Sequence, residues 1–138
     1  MIKIRAIDHL VLRVVDLEAM TRFYCEQLGC RLERRQDEIG LVQLRAGASL
    51  IDLVPVDGKL GRAGGAAPGP EGRNLDHLCL RIEDYDGAAL REALTAAGVR
   101  VGEEGSRYGA EGEGPSLYLW DPEGNQIELK GAPWAGKA

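Results

Sequence analysis

The strongest constraint on this chain is that it repeats itself. Residues 7–16 recur 68 positions later as residues 75–84, with Asp8/Asp76, His9/His77, Leu10/Leu78, Leu12/Leu80, Arg13/Arg81 and Asp16/Asp84 identical. Three further pairs exchange one apolar side chain for another. A fixed period of this kind marks copies of one supersecondary unit that bury their apolar faces together. Neither copy in a chain of 138 residues is long enough to hold a large core alone. The expectation is therefore one domain over 1–138, built from modules at about 4–56 and 74–130.

The local signals have the same order in each copy. Residues 4–14 alternate and are rich in branched apolar side chains, which reads as a strand. Asp16 is placed to cap a helix over 17–28, where Leu17, Met20, Phe23, Tyr24 and Leu28 share a face and Gly29 ends it. Short strands follow at 30–35, 39–45 and 48–54, the last two joined by a hairpin turn at 45–48. The second copy offers a strand at 74–82, a helix at 86–97 ended by Gly98, and a strand at 99–103. Strands at 115–120 and 125–130 flank the turn Asp121-Pro122-Glu123-Gly124. The pattern is βαβββ twice, an α+β fold. Residues 104–114 read as a glycine-rich polar loop. Residues 57–73, with six glycines and two prolines, read as a linker that is either a plain connector or a lid.

Composition excludes several classes of function. The net charge is −5 with no basic stripe, which argues against nucleic-acid binding. No apolar run approaches the roughly 18 residues of a membrane span, and no cleavage-type end follows the N-terminal stretch. The three cysteines, Cys25, Cys30 and Cys79, form no CxxC pair, which suggests free thiols in the cytoplasm.

The chain has only two histidines, and they occupy the same place in the two copies. Neutral imidazole is the commonest metal ligand, and a symmetric site needs the same donor from each copy. Each copy also ends in an apolar strand carrying one acid, Asp52 in Ile51-Asp52-Leu53 and Glu128 in Ile127-Glu128-Leu129. His9, Asp52, His77 and Glu128 make a two-histidine, two-carboxylate set that suits Zn²⁺, Ni²⁺, Mn²⁺, Co²⁺ or Fe²⁺. Strand alternation turns Val11 and Arg13 the same way as His9, and Cys79 and Arg81 the same way as His77. Arg13 and Arg81 then stand either at the edge of a cleft, as binders of an anionic substrate, or at strand ends in solvent. Cys79 is a nucleophile, a soft donor or inert packing. Asp8 and Asp76, on the opposite parity, read as structural or edge residues.

These residues resemble a known family. Residues 7–14 with Asp16-Leu17-Glu18 and 23–29 resemble the first module of the vicinal oxygen chelate superfamily, which includes glyoxalase I, bleomycin-resistance proteins and extradiol dioxygenases. Residues 75–80 resemble the opening of its second module, and 121–129 its closing motif. The resemblance runs from about Ile4 to Lys130. It implies a glyoxalase-like fold of paired modules around a metal cleft, with ligands at His9, His77 and Glu128. The remaining ligand in glyoxalase I enzymes is usually Glu, where this chain has Asp52. The implied activity is that of a metal-dependent lyase or isomerase. Its small substrate would offer two adjacent oxygens, and Glu128 would move a proton through a metal-stabilised enediolate. Alternatives within the family are a metal-free drug-binding protein and an epoxide-opening, fosfomycin-resistance-like enzyme. A homodimer is implied too, and open sheet edges favour one.

Overall fold

A computed structural model describes residues 1–138. The chain divides into two compact units, Met1–Asn74 and Leu75–Ala138. The first contains β1 (His9–Val14), α1 (Leu17–Arg22), β2 (Arg31–Gln36), β3 (Leu41–Ala46) and β4 (Ser49–Pro55). The second contains β5 (Leu78–Arg81), α2 (Gly87–Ala96), β6 (Arg100–Gly109), β7 (Gly112–Trp120) and β8 (Gln126–Lys130). Each unit is a four-stranded sheet with a helix, βαβββ in chain order, and the sheet orders β1-β4-β3-β2 and β5-β8-β7-β6 match.

In both sheets the first strand pairs parallel with the last, and the rest is antiparallel. That pairing puts the histidine end of each copy beside the strand carrying its acid. Val11 lies opposite Asp52 and Cys79 opposite Glu128. Alternation then sorts the faces. In the first unit Leu12, Val14, Val42, Leu44 and Leu53 are fully buried, beside the helix residues Met20 and Tyr24. In the second, Leu117, Leu119, Ile127 and Leu129 play the same part with Leu94 of α2. Each such side chain contributes about 1.5–3 kcal/mol by leaving water.

Both helices start as their sequence signals require. The Asp16 carboxylate accepts from the Ala19 amide and Asp86 from Ala89. Gly29 and Gly98 follow the helices with positive φ of 73° and 80°. The first helix differs from the expected 17–28 in one respect. It is regular only to Arg22 and widens into a π-helical stretch, Phe23–Gln27.

Four other expectations are corrected. The first strand starts at His9, not Ile4, because its parallel partner starts only at Ser49; residues 4–7 have no ladder to join, and Ile4 and Ile7 are exposed. The second copy's first strand likewise starts at Leu78 rather than 74, since β8 starts only at Gln126. Residues 104–114 are not a loop. They form most of a long β-hairpin in which Glu104 lies opposite Leu117 and Gly109 opposite Gly112. As an edge strand, β6 leaves much of its length in solvent, so it lacks the apolar alternation that marks a strand in sequence.

Residues 57–73 are more structured than a flexible linker. They include a 3₁₀ turn at Gly61–Gly64 and are held by the Arg13 guanidinium, which donates to the carbonyls of Gly61, Gly65 and Ala66 at 2.7–2.9 Å. Gly61 is required there, because a Cβ would stand 1.9 Å from the Pro55 carbonyl oxygen. Asn74 closes the unit by bonding both the amide and the carbonyl of Arg13. No helix is long and apolar enough to cross a membrane.

Candidate functional site

In the second unit the site is built on Glu128. The middle of β8 carries it onto the sheet face opposite the apolar core, yet it is only 5% exposed. A buried carboxylate is costly unless hydrogen-bonded, and Glu128 is bonded from several sides. Ser116 of β7 donates its hydroxyl to Oε2 at 2.6 Å. The Tyr118 hydroxyl and the Cys79 thiol bond it as well. His77 Nε2 lies 3.2 Å from Oε1. Burial pushes this carboxyl up, but the bonds from Ser116, Tyr118 and Cys79 and the charge of His77 outweigh it, so Glu128 stays below the usual carboxylate range.

The surrounding groups are ordered in turn. The Nδ1 of His77 faces Asp76 Oδ2 at 2.7 Å, which leaves Nε2 toward Glu128. The His77 ring meets Tyr118 edge to face at 6.0 Å. Arg107 donates to the Tyr118 hydroxyl at 3.2 Å, leaving that hydroxyl's own proton for Glu128. Burial, then the charge of Glu128 and a hydrogen bond to it, push the Cys79 thiol up to about 12. Cys79 is therefore a thiol donor at neutral pH and not a nucleophile.

The first unit repeats the arrangement with shorter side chains. Asp52 of β4 is 4% exposed, and Gln43 of β3, its register partner, reaches both carboxylate oxygens at 3.3 and 3.4 Å. The Nδ1 of His9 faces Asp8 Oδ1 at 2.8 Å. That hydrogen bond, followed by the charge of Asp52, raises the His9 pKa.

Each unit thus brings one histidine beside one buried acid, His9 with Asp52 and His77 with Glu128. No group of three or more His, Cys, Asp or Glu is arranged so that by itself it could hold a metal ion. The donor chemistry of each pair fits a divalent metal. The imidazole is held at Nδ1 by a carboxylate and offers Nε2, the outer arrangement common to metal-binding histidines. The acid beside it is buried, and Glu128 is held ionised.

The two arginines are placed differently from each other. Arg13 is committed to the carbonyls of residues 61–66. Arg81 lines a cavity but is paired with Glu111 at 2.6 Å. That cavity, of about 430 Å³, lies in the second unit and is lined by His77, Cys79, Arg81, Tyr108, Glu111, Glu128, Lys130 and the backbone at 109–110.

Sequence reasoning missed Asp8, Asp76, Gln43, Ser116 and Tyr118 as parts of the site. A signal existed for the first two, since the Asp-His dipeptide is itself repeated. Gln43 and Tyr118 had a fainter one, as polar groups inside otherwise apolar strands.

Paired βαβββ units with a histidine at the head of the first strand and an acid in the last define a recognisable class. The chain belongs to the Glyoxalase/Bleomycin resistance protein/Dioxygenase superfamily, whose model matches residues 6–129. It is similar to Virulence protein STM3117 of Salmonella typhimurium, at 34% identity over 125 residues covering 89% of this chain and 81% of that protein. It is also similar to an ethylmalonyl-CoA/methylmalonyl-CoA epimerase of Cereibacter sphaeroides, at 31% identity over 132 residues covering 90% of this chain and 96% of that enzyme. Among solved structures, the crystal structure of the Salmonella virulence protein superposes with a TM-score of 0.72 at 28% identity, covering 95% of this chain and 99% of that one.

Proposed function

We propose that this chain is a divalent-metal-dependent enzyme of the glyoxalase type, a lyase or isomerase acting on a small substrate with two adjacent oxygens. The observation that carries the reading is the buried, ionised Glu128 beside His77 Nε2. Ligands to the metal are drawn from His9, Asp52, His77 and Glu128. A divalent cation held by such donors supplies a Lewis acid that stabilises enediolate charge on the substrate.

The rest of the chemistry falls to the chain. Glu128 takes a proton from the carbon beside the substrate carbonyl and returns it. Ser116 and Tyr118 keep that carboxylate oriented and ionised between turnovers. Asp8 and Asp76 hold the two imidazoles with Nε2 outward. The similarity to an acyl-CoA epimerase supports carbon-acid chemistry of this kind. The cavity lining favours it over metal-free drug binding, because the lining is charged and carries one aromatic side chain besides His77, Tyr108. A homodimer and a cytoplasmic setting belong to the same proposal, the latter resting on three free thiols.

The test is exchange of substrate C–H for solvent deuterium. The metal-loaded protein is incubated in heavy water with hemithioacetals of glutathione and with 2-methyl-branched acyl-CoA thioesters. Exchange that disappears in Glu128→Gln supports the assignment. Exchange that persists in that variant removes Glu128 as the base.

A further inference from the structure

We propose that Lys130 is an anion-binding residue of the cavity beside His77 and Glu128, so that the substrate carries a terminal carboxylate or similar anionic group. The inference rests on the proposed function above and narrows it to a substrate class.

Lys130 is the last residue of β8 and only 5% exposed. Lysine is almost never buried without an acid partner, yet no carboxylate pairs with this one. Its ammonium donates to two backbone carbonyls, those of Arg107 and Gly114, the latter at 3.2 Å. An ammonium has three N–H donors, so one is left without a protein acceptor. Two carbonyl dipoles satisfy hydrogen bonds but do not neutralise a buried charge.

The other cation of the cavity is in the opposite condition. Arg81, which lies beside Lys130 across the β5–β8 ladder, is matched by Glu111. The cation of the cavity without a carboxylate at ion-pair distance is therefore Lys130, with the ionised Glu128 a two-residue step away along the strand. The stem of the side chain is also fitted to its place, since a Cβ on Gly109 would stand 2.7 Å from Lys130 Cε.

Geometry sets the reach of the ligand. Glu128 and Lys130 are two residues apart on one strand and face the same way, a step of roughly 7 Å. A substrate whose adjacent oxygens lie by Glu128 meets Lys130 with a group a few bonds further along.

The test compares two hydroxamates on the metal-loaded protein. Acetohydroxamate offers two adjacent oxygens and no anion; N-hydroxysuccinamate offers the same oxygens and a carboxylate two carbons further on. Wild-type protein is expected to bind the carboxylate compound about tenfold or more tightly, the worth of one charge-assisted hydrogen bond. Lys130→Met is expected to abolish that preference and leave acetohydroxamate within about twofold of its wild-type affinity. Equal affinities in the wild type overturn the proposal, whether or not the variant folds. A preference that survives in folded Lys130→Met overturns it too, and reduces Lys130 to a clamp on the β6–β7 hairpin.

If neither hydroxamate binds, the metal reading fails separately. The anion site is then decided by inorganic phosphate titrated into metal-free protein. Saturable amide shifts at Lys130 and Gly114 support it, and their absence overturns it.

Discussion

Ser116→Ala probes the site without touching a proposed ligand. Ser116 is fully buried, and its hydroxyl bonds Glu128 Oε2 at 2.6 Å. A hydrogen bond to a charged acceptor is worth about 1.5–3 kcal/mol. Because both partners are buried, water cannot replace the lost donor, and the expected destabilisation at pH 7 is about 2 kcal/mol. The sign with pH follows from Glu128. Its carboxyl is held below the ordinary value of 4.5, so its stabilising bonds are fully present above that value and fade as pH falls through the folded-state one. The stability gap between wild type and Ser116→Ala should therefore be widest near neutrality and shrink on acidification. Urea unfolding at a series of pH values measures the gap, and carboxyl NMR measures the Glu128 titration, which should move up in the variant. A gap that is constant with pH, or a Glu128 titration that does not move, would refute the reading that Ser116 supports an ionised Glu128.

Asp52 is a methylene shorter than Glu128 and is bonded by Gln43 at 3.3 and 3.4 Å, against 2.6 Å for the Ser116 bond to Glu128. Asp52→Ala should weaken metal binding less than Glu128→Ala, as read from dissociation constants in one buffer; the reverse order makes Asp52 the stronger ligand. Cys79, with its thiol raised from 9.0 to about 12, carries about a thousandfold less thiolate than a free cysteine at the same pH. It should resist iodoacetamide at pH 8, and rapid alkylation at Cys79 would contradict the raised thiol pKa. Sedimentation at micromolar concentration should give twice 14.9 kDa, and a monomer at every concentration would remove the dimer.

The fold was legible because a repeat exposes register. Two identical Asp-His openings and two strand-end acids 76 positions apart, at 52 and 128, could be aligned without knowing either strand's partner. What was lost depended on long-range pairing. Strand alternation does not predict the contact of Asp8 and Asp76 with the imidazoles, because it treats them as strand residues facing away from the histidines. The strands begin at His9 and Leu78, so alternation does not govern the preceding carboxylate, which turns to the imidazole Nδ1. The partner of Arg13 was invisible for a similar reason, since it is the backbone of a segment about fifty residues away that reads as formless. The β6–β7 hairpin was hidden by its glycines, which serve an exposed edge and a tight end at Gly109–Gly112. The burial of Lys130 has no signal in the sequence, because the residues that cover it come from the β6–β7 hairpin.

The proposed function requires a divalent metal, with His77 and Glu128 among its ligands. The most direct measurement is metal content by plasma mass spectrometry, on wild type and His77→Ala, after loading and gel filtration, with circular dichroism to establish that both are folded. About one divalent metal ion per chain is expected in the wild type and a small fraction of that in His77→Ala, at unchanged secondary structure. A wild type that retains no metal, or a His77→Ala variant with the wild-type stoichiometry, would contradict the proposed function.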